Sequence, residues 1–428
     1  MNSDIIMNNL HTTSGILLHR IFFIVVLSTL LLVNTLNSFA FDRRQEQFRS
    51  EPSYLILPSP VRVAGVGEML VFIGLASNVA DTYIDLAAMK VTGDAEGYLA
   101  GIYDLHLISE TLIFDLDYIS IDRVAFNNYR TRGLDSEKDD FTILSLKKQE
   151  ISYAEITLSL FEKRVELAYR YDKTVTTLDK ILDSDENILT EFDNPDAQTV
   201  ETTSSEILLD FTDDYLDPRK GIRLRAQRSN SPPTDENESD FFVINKEVSI
   251  FIPLGDSSTW AFYGLYSNTE VTKTGVTDPD TIAGELGLSC SYDACTDYEK
   301  RLIDRKVVER EKGTAITLGG MDRLRSYPLD RFQGAHAGYF STEFRFNFAD
   351  EVTPFDFWIW KDVSTSIQWA LFYDRGSVAE TQEDLWKESA DSIGTGLRMI
   401  AGSGYVYRAD WATGKEGSEL TVVFEYPW

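Results

Sequence analysis

The sequence predicts an all-β protein, an antiparallel transmembrane β-barrel, from three observations. The last quarter of the chain breaks into strand-length segments that are aromatic on one face and charged on the other. No stretch after the N-terminal segment reaches the roughly 18 apolar residues that a spanning helix needs. The chain also opens like an exported protein. Only helices and closed barrels pair every backbone polar group inside a bilayer, so an exported membrane chain without such a helix must close a barrel.

Arg20 precedes the apolar run 21–33, and polar Asn34 and the small residues Ser38 and Ala40 follow it. Residues 1–40 are therefore expected to be a cleavable signal peptide. The competing reading, an N-terminal anchor, is disfavoured because the run is shorter than the ~20 residues of a spanning helix. Residues 41–66 are expected to form a short periplasmic lead, too short for a folded domain, and 67–428 the barrel.

Within the barrel, segments 68–79, 82–93, 97–108 and 110–124 alternate in part. Segments 150–161 and 164–175 form a pair joined by a tight charged turn. Segment 201–215 leads to the turn Asp217-Pro218-Arg219-Lys220-Gly221 and a strand from Ile222. Segments 241–252 and 259–271 follow, and then 272–333 as one very long loop, a length that points to function. After it Phe344, Phe346 and Phe348 face one way and Glu343, Arg345 and Asn347 the other. Segment 366–376 places Ile367, Trp369, Leu371 and Tyr373 outside, and Asp374 inside. Segment 393–400 turns Gly394, Gly396 and Arg398 inward. Segment 405–411 puts Tyr405, Tyr407, Ala409 and Trp411 outside with Arg408 and Asp410 inside. Segment 418–428 is expected to show Leu420, Val422, Phe424, Tyr426 and Trp428 to lipid. The knot of Phe355, Phe357, Trp358 and Trp360 marks an interfacial girdle.

Composition narrows the function. With 40 basic against 69 acidic residues and a net charge of −29, nucleic acid is not an expected partner. The acidic stretches 183–197 and 234–240 are expected to be solvated loops, with divalent cation binding beside lipopolysaccharide as the alternative. Cys290 and Cys295 are expected to pair after export. Two thiols without a nearby histidine do not fill a zinc shell, so no metal or cofactor is expected. Only His106 and His336 remain for catalysis once residues 1–40 leave. Neither sits in a nucleophile motif, so no enzymatic activity is expected.

Gly319-Gly320, four residues, then Arg325-Ser326-Tyr327, then a strand with Glu343 and Arg345 two apart, resembles a known pattern. It is similar to the lumenal loop and following strand of the BamA, TamA and FhaC superfamily of outer-membrane assembly and secretion barrels, the bacterial surface antigens. The Asp-Pro turn at 217, the Phe-Tyr-Asp-x-Gly strand at Asp374 and the aromatic terminal strand extend the resemblance over the last half of the chain. It implies sixteen strands and a long loop folded into the lumen, in a monomer whose short lead 41–66 is expected to leave no room for periplasmic POTRA domains. It further implies residence in the bacterial outer membrane among its lipids and lipopolysaccharide, with a periplasmic client or accessory protein as partner. The implied function is inserting or exporting polypeptide, or handling lipid. A passive channel or structural surface antigen is the alternative.

The resemblance assigns Leu324, Arg325, Ser326 and Tyr327 to the loop motif, with Arg325 docking on the inward acids Glu343 and Asp374. Ser326 stands where the family has glycine, and serine resists a positive φ. The resemblance also makes Phe424, Tyr426 and Trp428 the terminal-strand assembly signal. It makes the first and last strands a weak seam, with Gly67, Gly74 and Pro427 suited to poor pairing. In a hydrated lumen an arginine–carboxylate pair contributes only about 0–1 kcal/mol.

Overall fold

The computed structural model describes residues 41–48, 52–193, 195–350, 355–357, 360–363, 365–401 and 406–428. The expected signal peptide, Tyr405 and Trp358 lie outside these. Sixteen strands close an antiparallel barrel. In chain order they are β1 (Ser53–Val63), β2 (Gly67–Ser77), β3 (Asp85–Gly93), β4 (Glu96–Ile108), β5 (Leu112–Tyr129) and β6 (Phe141–Leu160). Then come β7 (Val165–Leu182), β8 (Gln198–Asp210), β9 (Gly221–Ser231), β10 (Asp240–Pro253) and β11 (Ser258–Lys273). The last five are β12 (His336–Asp350), β13 (Thr365–Ala379), β14 (Ala390–Ala401), β15 (Val406–Gly414) and β16 (Gly417–Phe424). Each strand pairs with its sequence neighbours, and β1 meets β16. Short pieces Ile188–Glu191, beside β7, and the ribbon Phe355–Phe357 with Trp360–Val363 lie outside this cycle.

Period-2 patterning builds the wall. On β15 the buried and exposed residues alternate from Val406, and on β16 Thr421 and Val423 are buried between exposed or half-buried neighbours. Outward-facing Trp260, Trp369, Leu371, Leu397 and Trp411 are each more than a third exposed, as a lipid-facing wall requires. Among the described residues no helix is long and apolar enough to cross a membrane. The even strand count brings both chain ends to one end of the barrel. The connections 130–140, 183–197, 232–239, 274–335 and 380–389 emerge at the other, whereas 351–364 joins β12 to β13 at the same end as the chain ends.

Two expectations about the boundary change. The barrel begins at Ser53, not Gly67, because Ser53–Val63 pairs with β2 along its whole length. Gly67 and Gly74 therefore belong to the second strand, one removed from the seam. Among the described residues, closure between β1 and β16 shows one register pair, Arg62 opposite Val422. The β1–β2 ladder runs unbroken through Pro58 and Pro60, which have no N–H to donate. Their hydrogen-bonding edge therefore points at β16. Pro60 offers its carbonyl not to a strand but to the Tyr407 hydroxyl, at 2.6 Å.

The 272–333 stretch is also more ordered than a loop. It carries α1 (Pro279–Glu285) and α2 (Asp297–Lys312). Asp278 caps α1 with proline at its first position, and Thr296 with Glu299 forms a capping box for α2. The Cys290–Cys295 bond ties the helices over a small core of Ile282, Ala283 and Ile303. Arg310, buried, donates to Glu238 at 3.0 Å and Glu285 at 2.6 Å. The acidic stretch 234–240 is thus not wholly solvated, since Glu238 anchors α2.

Burial raises the Glu238 pKa, but Arg310 and Lys306 outweigh it and hold the carboxyl below its ordinary value. The Thr281 hydroxyl and amide lower Asp278, and the Thr296 amide and hydroxyl lower Glu299. Groups depressed on folding stabilise fully above their unfolded pKa values and lose this as pH falls through the folded ones. The helical insert should therefore be rigid at neutral pH and loosen below the ordinary carboxylate range. A nitroxide on Glu311→Cys should become mobile in that window by electron paramagnetic resonance. An unchanged spectrum would remove these carboxylates from the account.

Candidate functional site

The site begins with a tight turn. Gly319 and Gly320 take φ of 110° and 105°, where a side chain would be strained. Gly320 N–H donates to Tyr327 O at 2.9 Å and Gly319 N–H to Arg323 O at 3.0 Å. Leu318 bridges Phe332 across the base. The positive φ that Ser326 would resist falls instead on Leu324, at 50°. Ser326 gets its close approach from the wall. Its hydroxyl lies 2.6 Å from Ser392 Oγ and fills the space that a Cβ on Gly414 would take. Leu318 and Leu324 likewise pack over Gly376.

This turn delivers Arg325 to three carboxylates. Nε and Nη2 donate to the two oxygens of Asp374 at 3.0 and 2.9 Å. Nη1 donates to Glu343 at 2.9 Å and Asp410 at 3.0 Å. The guanidinium carbon lies 3.4 Å from the centre of the Phe372 ring. All four charged side chains are fully buried. Burial disfavours the arginine charge, and Asp374, Glu343 and Asp410 more than restore it. Arg398 and Arg345 bind Glu343 at 2.7 and 3.0 Å, and Arg408 binds Asp410 at 2.7 Å and Asp322 at 2.8 Å. The four arginines and four acids of the cluster balance.

Alternation places Asp410, Arg398, Arg345 and Arg408 inward, and the structure joins them to the expected Arg325, Glu343 and Asp374. A second anchor is new. Arg331 grips Glu416 through Nε at 2.9 Å and Nη2 at 2.7 Å, and reaches Ser136. Tyr327 packs edge-on against Phe332. What remains of the lumen includes a polar cavity of about 310 Å³ lined by Tyr153, Glu155, Glu166, Arg170, Glu206 and Arg225.

The carboxyl terminus departs from expectation. The strand stops at Phe424 because Glu425 takes φ of 77°, which breaks the alternation. Tyr426 and Trp428 thus turn into the lumen instead of toward lipid. Trp428 stacks on Tyr263 at 5.1 Å, Arg345 lies 4.6 and 4.8 Å from the Tyr426 and Trp428 rings, and Pro427 is buried. Only Phe424 keeps its outward place, beside Tyr407.

The lead meets the tail at one carboxylate. Asp217 accepts from Arg44 at 3.2 Å, from Arg219 at 3.0 Å and from the Tyr426 hydroxyl at 2.7 Å. Arg43 reaches Asp210, and Arg164 bonds the Phe41 carbonyl. β7 and β8, whose ends hold the lead, stand nearly opposite β1 in the ring, so the lead lies across the terminal mouth.

His106 stacks on Tyr83 and accepts from the Glu110 amide, and His336 starts β12. Neither is bonded to a serine or a carboxylate among the described residues.

A superposition on solved structures follows from this geometry. CdiB from Escherichia coli matches with a TM-score of 0.50 at 12% identity, over 89% of this chain and 68% of that one. The chain has the CdiB barrel fold. BamA from Haemophilus ducreyi, lacking POTRA domains 1–3, gives 0.49 at 11% identity over 88% and 70%. CdiB from Acinetobacter baumannii gives 0.48 at 9% identity over 88% and 60%. No protein-family model and no curated protein matches the chain. The barrel is the fold that the loop motif implied.

Complete burial changes the energetics expected for a wet lumen. Removing one partner of a buried ion cluster costs about 3–5 kcal/mol, because the others are left uncompensated. Arg325→Ala should lose that much in urea unfolding, and Glu343→Gln or Asp374→Asn a comparable amount. Double variants with Arg325→Ala should be no worse than the worst single. Arg325→Ala should also conduct more noisily in planar bilayers than the native chain. Simple additivity, or unchanged conductance, would make Arg325 an ordinary lining charge.

Proposed function

We propose that this chain is an outer-membrane barrel of the assembly and translocation type, which handles polypeptide at its seam. The carrying observation is the unequal closure of the wall. Between β1 and β16 one register pair holds, while β1 and β2 pair from Ser53 to Val63. Pro58 and Pro60 cannot donate across the seam, so parting it forfeits little backbone bonding. An opened seam presents unpaired strand edges, on which an incoming β-segment can add.

The loop and tail packing supports the same reading over a passive channel. Arg325 is locked on three buried acids, and Tyr426 and Trp428 fill the lumen beside Arg345. In this reading the end with the chain termini faces the periplasm and the long connections face outward. The client is an unfolded polypeptide with strand-forming segments, and no catalysis takes part.

The test is a lock. In a background with both native cysteines replaced by serine, Arg62→Cys with Val422→Cys should cross-link the register pair at the seam. Ala88→Cys with Ala100→Cys, paired within the wall, serves as control. In phospholipid vesicles supplied with an unfolded barrel protein, folding of that client should drop to the empty-vesicle level when the seam is oxidised. Reductant should restore it, and the control pair should have no effect. A locked seam that works as well as a free one overturns the proposal. So does an unlocked protein that does no better than empty vesicles while conducting steadily, which would make it a channel.

A further inference from the structure

Outward-facing charges on the half of the wall nearer the long connections come largely in pairs. Arg62 meets Glu68 at 2.6 Å, Arg123 meets Glu96 at 2.8 Å, Lys148 meets Glu150 at 3.0 Å and Lys173 meets Glu201 at 3.4 Å. Between neighbouring strands, and within β6 for Lys148 and Glu150, these charges thus neutralise each other where the wall leaves the apolar belt.

Lys90 on β3 stands outside this pattern alone, whereas Arg228 on β9 and Lys246 on β10 stand outside it side by side. Ala226 stands opposite Lys246 and Arg228 opposite Ile244, so the two cations are diagonal neighbours on one face. Both are exposed, and no carboxylate lies within ion-pair distance of either among the described residues. The residues directly opposite them on the outer ladders are neutral, Ser205 facing Arg228 and Tyr266 facing Lys246, and the outward carboxylate next along this face is Glu270, opposite Phe242. Arg228 lies flat over the Phe242 ring, 3.3 Å from its centre, and Lys246 is 6.0 Å from that of Tyr266. On the side toward the chain termini the same face is apolar, with Leu224, Val248, Ile252 and Ile207 all exposed.

Two adjacent cations bordering lipid are costly without a counter-ion, and more so the deeper they sit. An arginine fork and an ammonium, flanked by two hydroxyls, match an anion with several oxygens. We propose that Arg228 and Lys246 dock the phosphate of a phosphorylated saccharolipid, the lipopolysaccharide headgroup, in the leaflet nearer the long connections. The site extends the reading of that end as the outer face, and rests on it. A bound headgroup would brace β8–β11, nearly opposite the seam.

The test uses the full chain purified in detergent, titrated with bisphosphorylated lipid A and followed by native mass spectrometry. The native protein should hold lipid A at least ten-fold more tightly than its dephosphorylated form or phosphatidylglycerol. Inorganic phosphate at millimolar concentration should not displace it. Arg228→Gln with Lys246→Gln should lose at least ten-fold in affinity while keeping the native shift on unheated gels and native seam-dependent activity. Equal binding by the double variant overturns the proposal. So does equal binding of dephosphorylated lipid or phosphatidylglycerol, and displacement by phosphate alone. A chain that never enters vesicles would instead sink the membrane reading beneath it.

Discussion

One buried guanidinium organises this barrel. Arg325 is shared by Glu343, Asp374 and Asp410, which come from β12, β13 and β15, so a single side chain spans four adjacent strands of the wall. Removing such a group from water costs several kcal/mol per ion, and only complete pairing repays it. The rest of the lumen follows from that demand. Inward glycines make room for the loop, Ser326 leans on Ser392, and Arg398, Arg345 and Arg408 supply the charge that three clustered acids require. The tail then covers Arg345 with two aromatic rings.

The barrel is therefore strong where the loop docks and weak next to it. β12 to β15 are joined by long ladders and by the ion cluster, whereas among the described residues β16 meets β1 at one register pair. The chain ends sit on either side of this contrast. The tail leaves β16 for the lumen, the lead crosses the mouth, and both are held at Asp217. Among the described residues few backbone bonds cross this seam, which a rigid wall and a shared latch frame.

Much of this was legible from residue order alone, because period-2 alternation with phenylalanine outside and charge inside has few other physical solutions. Arg325, Glu343 and Asp374 were readable from their motif and from the face each occupies. Asp410 was placed inward by the same rule, but its distance from Arg325 depends on which strands are neighbours in the closed ring. Tyr426 and Trp428 misled because alternation assumes an unbroken strand, and one positive φ at Glu425 reverses the faces beyond it. Ser53–Val63 was hidden by its two prolines, which read as a lead and turn out to mark an edge. The helices in the long loop do carry a sequence signal: Thr296 three residues before Glu299, and Asp278 before Pro279.

The central claim is that Arg325 pins the lumenal loop, and amide hydrogen exchange of residues 318–332 tests it most directly. Gly319, Gly320, Tyr327 and Phe332 donate their amides within the buried turn. They should exchange in the native chain about as slowly as the ladder amides of β13 and β14. In Arg325→Met they should exchange at least about a hundred-fold faster, the equivalent of losing roughly 3 kcal/mol of anchoring, while the ladders keep their protection. Unchanged protection of the loop in Arg325→Met would contradict the account, because packing alone would then hold the plug.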